Sequence, residues 1–356
     1  TNLGQLFKVW ADHEDQSGGD SLEHRDRAIA AYRAALALDE RTADAWVNLG
    51  TAYLQRSSHP RGQPGEDLER AREALERALA INPDNIVPCF YGADVHEKLA
   101  RRRRGEGEAY EPVLERALAL YRQGLAINPR LPQLHNGLGG ALLWRAEQVG
   151  QDGGDPEPLF AQAQAAFEQA RDVAPKQAFA YNNLGEVHTA RALFRSARGE
   201  APAAGVKRAV ESYQQALALL PGHAELWANL AKAWHTLAAW ELAHGRDPQA
   251  PLARASEALE RALKLNARNG SAWRYLGETR GVRARWLAHQ GRARDEDFEQ
   301  AAQAFQQALA LAPQRADHRA AGEHLQREWT SWRERRAGLA IPPGEGAAPS
   351  SRPAPR

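Results

Sequence analysis

The amino-acid sequence repeats itself about every 46 residues. A short apolar phrase that usually ends in Pro begins at residues 38, 81, 127, 173, 219, 265 and 311, so its copies lie 43 and then five times 46 residues apart. A second landmark, usually glycine, advances with the same steps: Gly4, Gly50, Ala93, Gly139, Gly185, Ala231 and Gly277. A third landmark is a glycine that falls on the same lattice, that is, at equivalent places in the repeats: Gly18, Gly107, Gly153, Gly199, Gly245 and Gly291. Three landmarks with one period predict a solenoid, a stack of similar units, rather than a single globular core.

Within each unit the apolar residues follow helical spacing. Trp227, Leu230 and Trp234 lie three and four residues apart and so form one apolar stripe. A second stripe, which contains Leu259, follows after Gly245. Glycine allows the left-handed backbone conformation that commonly ends a helix. Each unit is therefore predicted to be a first helix (helix A), a loop with glycine, a second helix (helix B) and a short turn.

Composition narrows the possible functions. Lys and Arg number 46 and Asp and Glu number 45, so the formal net charge is +1, which argues against a nucleic-acid-binding protein. The single cysteine, Cys89, excludes an internal disulfide and a Cys-rich metal site. Because no run approaches about 18 apolar residues and no charged-then-apolar leader is present, we expect no membrane insertion and a cytoplasmic location. The absence of Met is what we expect of a segment from a longer protein.

The landmark residues resemble a known family. Helix A carries the pattern Trp46-x2-Leu49-Gly50-x2-Tyr53, and helix B of the same unit supplies small and apolar residues at fixed spacing: Ala71, Leu75, Ala78 and Pro83. This pattern resembles the tetratricopeptide repeat, or TPR, over about residues 1–314. The resemblance implies an all-α fold, a right-handed superhelical solenoid of about seven helical hairpins. It also resembles the lengthened TPR arrays that lie C-terminal to bacterial serine/threonine protein kinases.

The repeat departs from the family in its length, because an ordinary TPR has about 34 residues. The extra residues lie between the two stripes, since Gly185 and the first alanine of helix B, Ala209, are 24 residues apart. Aromatic residues recur inside this extension at 46-residue steps: Phe194, Trp240, Trp286 and Trp332. Aromatics at a fixed repeat position are expected in a packed interface. We therefore expect longer helices, with about 20 residues in helix A, rather than a long loop.

The sequence divides into three segments. Residues 1–314 are predicted to form the extended TPR array, whose first helix is truncated. Residues 315–338 are predicted to form a capping helix, because a solenoid needs an end with a polar outer face. Residues 339–356 are rich in Pro, Gly and Ala without periodicity, and we expect them to be disordered.

Motifs that could carry catalysis or metal binding are incomplete. The triplet His24-Arg25-Asp26 copies part of a kinase catalytic loop, but Ala31 stands where that loop needs a metal-binding Asn. The histidines lack the i, i+4 spacing of a helical zinc site. Cys89 occupies a helix-A packing position, which predicts a buried side chain. We expect no catalytic residue, no metal and no cofactor.

The densest charge run is residues 101–104, four consecutive arginines. They could contact an anionic partner. The alternative is that they form the solvated end of a helix A, where the helix dipole favours cations and where glutamates follow. We favour the second interpretation.

The resemblance also implies a binding surface, because in this family helix A lines a concave groove with its second, fifth, ninth and twelfth positions. On this chain those positions include Asp44, Phe90, Asp94, Glu97, Asn136, Asn182, Glu186, Glu225, Lys232, Arg274, Glu278 and Asp317. Acids outnumber bases in the groove positions, so we expect a protein or peptide partner that is basic or of mixed charge. The groove charges could also serve only solubility.

These observations favour a protein–protein interaction scaffold that holds a polypeptide in its groove. The alternative is the regulatory, partner-recruiting arm of a bacterial serine/threonine protein kinase whose catalytic domain lies outside residues 1–356. A repeat arm of a carbohydrate-active enzyme is a third and weaker hypothesis. None of the three assigns catalysis to this segment.

Overall fold

The computed structural model describes residues 1–339 and builds them from fifteen α-helices, without a β-strand in that part of the chain. The helices are α1 (Asn2–Ser17), α2 (Leu22–Leu38), α3 (Ala43–Ser57), α4 (Pro64–Ile81), α5 (Ile86–Gly105), α6 (Glu111–Ile127), α7 (Pro132–Gln151), α8 (Glu157–Val173), α9 (Ala178–Ala197), α10 (Ala203–Leu219), α11 (Ala224–Ala243), α12 (Gln249–Leu265), α13 (Gly270–His289), α14 (Asp295–Leu311) and α15 (Ala316–Leu339). The predicted all-α fold is confirmed. The predicted disordered tail lies outside the described residues, apart from Leu339 at the end of α15.

The helices belong to two compact units, Thr1–Phe194 and Arg195–Arg356, and α9 runs across their boundary. In the first unit, each odd-numbered helix from α1 to α7 packs against the next helix to form a hairpin. In the second unit α11 pairs with α12, α13 pairs with α14, and α15 packs against α13 and α14. The odd-numbered helices are the A helices and the even-numbered ones are the B helices. The role of residues 315–338 as an end cap stays a prediction.

Helix lengths show where the extra residues of the repeat reside. The A helices α5, α7, α9, α11 and α13 each contain 20 residues. The B helices α6, α8, α10, α12 and α14 each contain 17 residues. Helix α3, in the one repeat with a 43-residue step, has only 15 residues. Pro64 begins α4 where the lattice would place a glycine, and proline cannot adopt the positive φ angle of a glycine cap.

The lattice glycines end the A helices as predicted. Within residues 1–339 the six glycines with positive φ are the members of that lattice: Gly18, Gly107, Gly153, Gly199, Gly245 and Gly291. At Gly245, φ is +68°, and the N–H of Arg246 donates to the carbonyl of Glu241 at 2.8 Å. This is the hydrogen bond of a Schellman cap, which satisfies a carbonyl that the helix leaves unpaired.

Replacing Gly245 by Ala should lower the free energy of unfolding by about 1 kcal/mol, because a Cβ atom strains a left-handed residue. The added methyl group meets no heavy atom within 4 Å, so the loss would come from the backbone alone. Thermal unfolding of the variant measures this loss of stability. Gly222→Ala is the matched control, because Gly222 also faces open space but has no positive φ in the left-handed range. Equal melting temperatures for the two variants would contradict this account.

A second set of glycines brings the two helices of a hairpin close together. A Cβ atom on Gly139 would lie 2.7 Å from the ring of Phe167, and one on Gly277 would lie 2.9 Å from the ring of Phe305. Both phenylalanines are on B helices and are almost completely buried. At these two glycines of the second sequence landmark, a B-helix ring therefore rests on the A-helix backbone.

Phe194, Trp240 and Trp332 of the extension are packed, as expected, whereas Trp286 is half-buried. Trp240 is 5 % exposed and stacks on His244 with ring centroids 4.1 Å apart. Trp332 is half-buried and lies 5.1 Å from the ring of Phe298. Cys89 is completely buried, which confirms its predicted packing role, and this burial raises the pKa of its thiol.

Candidate functional site

Several neighbouring A helices contact one another within each unit. Helix α5 touches both α3 and α7 in the first unit, and α13 touches both α11 and α15 in the second. The predicted groove positions all lie on A helices. On the first surface, in the first unit, they are Asp44, Phe90, Asp94, Glu97, Asn136, Asn182 and Glu186. On the second surface, in the second unit, they are Glu225, Lys232, Arg274, Glu278 and Asp317.

The carboxylates of α5 on the first surface are paired along their own helix. Lys98 donates to Asp94, and Arg101 donates to Glu97 through Nη2 at 2.7 Å and through Nε at 3.0 Å. The Arg101 guanidinium also lies over the ring of Trp144, 4.7 Å from its centroid. Because Trp144 belongs to α7, this contact joins the two A helices.

Amide side chains extend the first surface from α7 to α9. Asn183 donates from Nδ2 to Oδ1 of Asn136 at 3.2 Å, and both side chains are half-buried. Asn182 is 8 % exposed and donates to Oε1 of Glu186 at 3.1 Å. Phe90 is half-buried near the N-terminal end of α5. Its ring lies edge-on to the ring of Tyr91, with the two centroids 5.2 Å apart. The first surface thus offers amide, carboxylate and aromatic groups that other side chains already hold in place.

The second surface is organised around Glu278. Arg274 donates to this carboxylate from one helical turn away, and Nε2 of His235 on α11 lies 3.6 Å from it. The Nε atom of Arg274 is also 3.8 Å from a carboxylate oxygen of Asp317 on α15. The second surface therefore joins three A helices, with alternating charges between α13 and α15 and an imidazole on α11 beside Glu278.

Two further groups complete the second surface. Glu225 accepts a hydrogen bond from Nδ2 of Asn269 at 3.1 Å. Lys232 is half-buried, and no carboxylate of the described residues lies within 4 Å of its ammonium group in an ion pair. Of the positively charged groove positions on this surface, Lys232 is thus the one available to a partner's carboxylate.

The local environment sets the protonation of two groups on the second surface. Burial lowers the pKa of His235, although the carboxylate of Glu278 opposes this effect, so the imidazole is neutral at pH 7. The hydrogen bond from Arg315 lowers the pKa of Asp317 well below its usual range. Glu278 therefore faces a neutral imidazole on one side and a guanidinium on the other.

The structure shows a more balanced charge distribution than the groove positions alone indicate. Lys98 and Arg101 do not occupy those positions, but they share the first surface and neutralise its acids. The i, i+4 spacing of these pairs is a signal that the sequence contains. The Asn183–Asn136 and His235–Glu278 contacts join residues 47 and 43 apart in the chain, which is close to one repeat period. Polar residues spaced about one period apart are therefore the sequence signal for these contacts.

The motifs outside these surfaces have structural roles. Each of the four arginines at 101–104 has a carboxylate partner, among them Glu106 for Arg102 and Asp152 for Arg104. The run lies at the C-terminal end of α5, as the second interpretation expects, and a role in partner binding stays untested. Arg25 of the His-Arg-Asp triplet is 6 % exposed and donates to Ser21 and Gln55.

Residues 1–339 contain neither a metal-binding cluster nor a membrane-spanning helix. No group of three or more His, Cys, Asp or Glu side chains in that part of the chain is arranged to hold a metal ion. None of its helices combines the length and apolar character needed to cross a membrane.

Comparisons with known proteins indicate the type of fold. A tetratricopeptide repeat family model matches residues 21–86. A tetratricopeptide repeat protein from Parabacteroides merdae is similar in structure, with a TM-score of 0.57 at 14 % identity over 92 % of this chain and 100 % of that one. A chain of the APC/C hetero-tetramer Cut9–Hcn1 gives a TM-score of 0.52 at 15 % identity over 86 % of this chain and 49 % of that one. The comparison with curated proteins found no match. Together the family match and the structures support a TPR-type helical array.

Proposed function

We propose that this chain is a protein–protein interaction scaffold that binds a polypeptide across its A helices. The observation that carries this proposal is that partly exposed polar side chains on one A helix bond to the next, as Asn183 does to Asn136. Side chains that are ordered before a partner arrives lose less entropy on binding. A peptide in extended or helical form would meet a fixed row of hydrogen-bond donors and acceptors.

The partner is proposed to carry both signs of charge. The first surface presents Asp94 beside Lys98, and the second presents Glu278 beside Arg274. Lys232 adds a cation without a carboxylate partner among the described residues. Complementary charges on a partner would give specificity and faster association more than affinity. The sequence left two kinds of partner open, one basic and one of mixed charge. The pairing of acids with bases on both surfaces favours the mixed-charge segment over a purely basic one.

Two general points support a scaffold. A chain of similar fold occurs in the Cut9–Hcn1 hetero-tetramer, which is an assembly of different polypeptides. Carboxylates such as Glu97 and Glu278 are paired with arginines rather than arranged as a nucleophile with a base. No catalytic role is assigned to this segment, and its cytoplasmic location stays a prediction.

The proposal is tested with one variant of each surface. A partner is first identified by pull-down and mass spectrometry, and its binding segment is then measured against the full chain by titration calorimetry. Glu186→Lys and Glu278→Lys, one on each surface, should together weaken binding about tenfold or more, because each reverses a charge beside polar groups that contact the partner. Glu211→Lys and Glu299→Lys, the same change at exposed positions on B helices, should leave affinity within about twofold. Equal losses in the two pairs, with unchanged circular dichroism, would refute binding across the A helices.

The kinase-arm hypothesis gains no support from any contact within residues 1–339. It stays a proposal about the parent protein, and the gene sequence upstream of Thr1 tests it. A Gly-rich loop, a lysine on a β-strand and a complete catalytic loop there would support it.

A further inference from the structure

A cavity of about 450 Å³ lies in the second unit between α12, α13 and α14. Leu252 and Leu276, both buried, contribute apolar surface to it, and the half-buried indole of Trp286 forms part of its wall. Its volume is within the range of roughly 300–1,000 Å³ that is typical of small-ligand sites. The cavity is distinct from the polar row of the second surface, since none of the predicted groove positions lines it.

Three arginines line this cavity. Arg280 and Arg283 extend from α13, and Arg292 extends from the loop that follows it. Among residues 1–339, none of the three forms an ion pair with a carboxylate within 4 Å. Arg280 donates to the backbone carbonyl of Gln300 at 3.1 Å, which is an uncharged acceptor. The cavity therefore gathers guanidinium groups whose charge no carboxylate contacts.

Nearby arginines behave differently. Arg274 is paired with Glu278, Arg285 with Glu328, and Arg294 with Glu296. Three of the six arginines on α13 and its following loop are therefore paired with a carboxylate, and the other three line the cavity.

The charge of the cavity is positive. Its three arginines and one acid, Glu260, sum to a formal charge of 3 − 1 = +2. Burial lowers the pKa of Arg280, although Glu260 opposes this effect and the like charge of Arg283 adds to it. An anion bound in the cavity would raise the pKa of Arg280 again, because an opposite charge stabilises the protonated form.

The repeat lattice shows that packing does not require these arginines. One period before Arg280 and Arg283 the chain has Trp234 and Leu237, and one period after Arg283 it has Trp329. The positions of Arg280 and Arg283 therefore accept apolar side chains in neighbouring repeats. Arginine does recur at the position of Arg283, as Arg56, Arg145 and Arg191, and each of these has a carboxylate partner. What distinguishes Arg283 is the absence of such a partner within residues 1–339.

We propose that this cavity binds the phosphate monoester of a phosphorylated ligand, held by the guanidinium groups of Arg280, Arg283 and Arg292, with Trp286 against the ligand's body. A phosphate monoester carries about −1.5 to −2 charges at pH 7, which matches the net charge of the cavity better than a single carboxylate does. Guanidinium forks bind phosphate oxygens in pairs and form strong, charge-assisted hydrogen bonds. This site is independent of the polypeptide-binding role proposed for the A helices.

The phosphate group could belong to a phosphopeptide or to a small phosphorylated metabolite. Titration calorimetry of the full chain would compare a phosphoserine peptide, its unphosphorylated form, adenosine monophosphate and inorganic phosphate. Saturable binding of either phosphorylated organic probe, about tenfold or more tighter than the unphosphorylated peptide, supports the site. The tighter of the two organic probes identifies the source. Absence of binding by every phosphorylated probe overturns the proposal.

Variants connect the binding to the cavity. Arg283 and Arg292 are exposed, so Arg283→Gln with Arg292→Gln should fold normally and weaken the phosphorylated probe about tenfold or more. The matched control is Arg268→Gln, an exposed arginine outside the cavity, which should change the affinity less than about twofold. Undiminished binding in the double variant, or an equal loss in the control, would overturn the assignment to this cavity.

Discussion

Phe167→Ala should lower the free energy of unfolding by about 3–5 kcal/mol. Phe167 on α8 is 1 % exposed and belongs to the core of the first unit. Its ring rests on the backbone of α7 at Gly139, so its removal would leave a cavity between the two helices of a hairpin. Urea unfolding followed by circular dichroism measures the loss. Phe179→Ala is the matched control, because Phe179 is 54 % exposed, and it should lose about 1 kcal/mol or less.

A second substitution tests the close approach directly. Gly139→Ala places a Cβ atom 2.7 Å from the Phe167 ring and should cost about 1–3 kcal/mol by overpacking. In the Phe167→Ala background the same change should cost much less, because the obstructing ring is gone. The two effects should therefore be non-additive by about 1 kcal/mol or more. Strict additivity would show that this glycine is not retained for the ring.

Asp67→Ala should destabilise the first unit by about 3–5 kcal/mol, because it leaves a largely buried guanidinium without its main partner. Asp67 is completely buried, and both of its carboxylate oxygens accept from Nε of Arg56 at 3.1 Å. The same carboxylate accepts from the backbone N–H of Gln63 at 3.3 Å, near the start of α4. The hydrogen bond to Asp67 raises the pKa of Arg56. Without that bond a guanidinium still stays protonated at neutral pH, so this arginine cannot relieve the loss by giving up its proton.

Replacing both partners of the ion pair tests whether the loss of stability comes from the unpaired buried charge. Arg56→Leu with Asp67→Leu should be closer to wild type than Asp67→Ala, since no unpaired buried charge remains. The control is Glu23→Ala, whose partner Arg27 is 52 % exposed and which should lose no more than about 1 kcal/mol. Chemical unfolding of the three variants provides the comparison. A double variant as unstable as Asp67→Ala would contradict the buried-charge explanation.

The helices were predictable because their signals are local. Gly245 ends α11 with the expected left-handed backbone, and Trp240 is buried in the extension as its periodic position predicts. The site was predictable only in part. Groove positions such as Asp94 and Glu278 are on A helices as expected, but their charges are paired with Lys98 and Arg274. Counting isolated positions could not show this, because the charge that a partner meets depends on every side chain nearby.

The sequence by itself determined the period, the alternation of two helices and the glycine caps, because helical spacing and the steric limits of the backbone act between residues close in the chain. Only the tertiary structure decided which polar groups meet across helices, such as Asn183 with Asn136, and which arginines remain without a carboxylate, such as Arg280. Those outcomes depend on distances of a few ångströms between side chains on different helices. Electrostatic and hydrogen-bond energies change steeply over such distances, and a repeat pattern does not specify them.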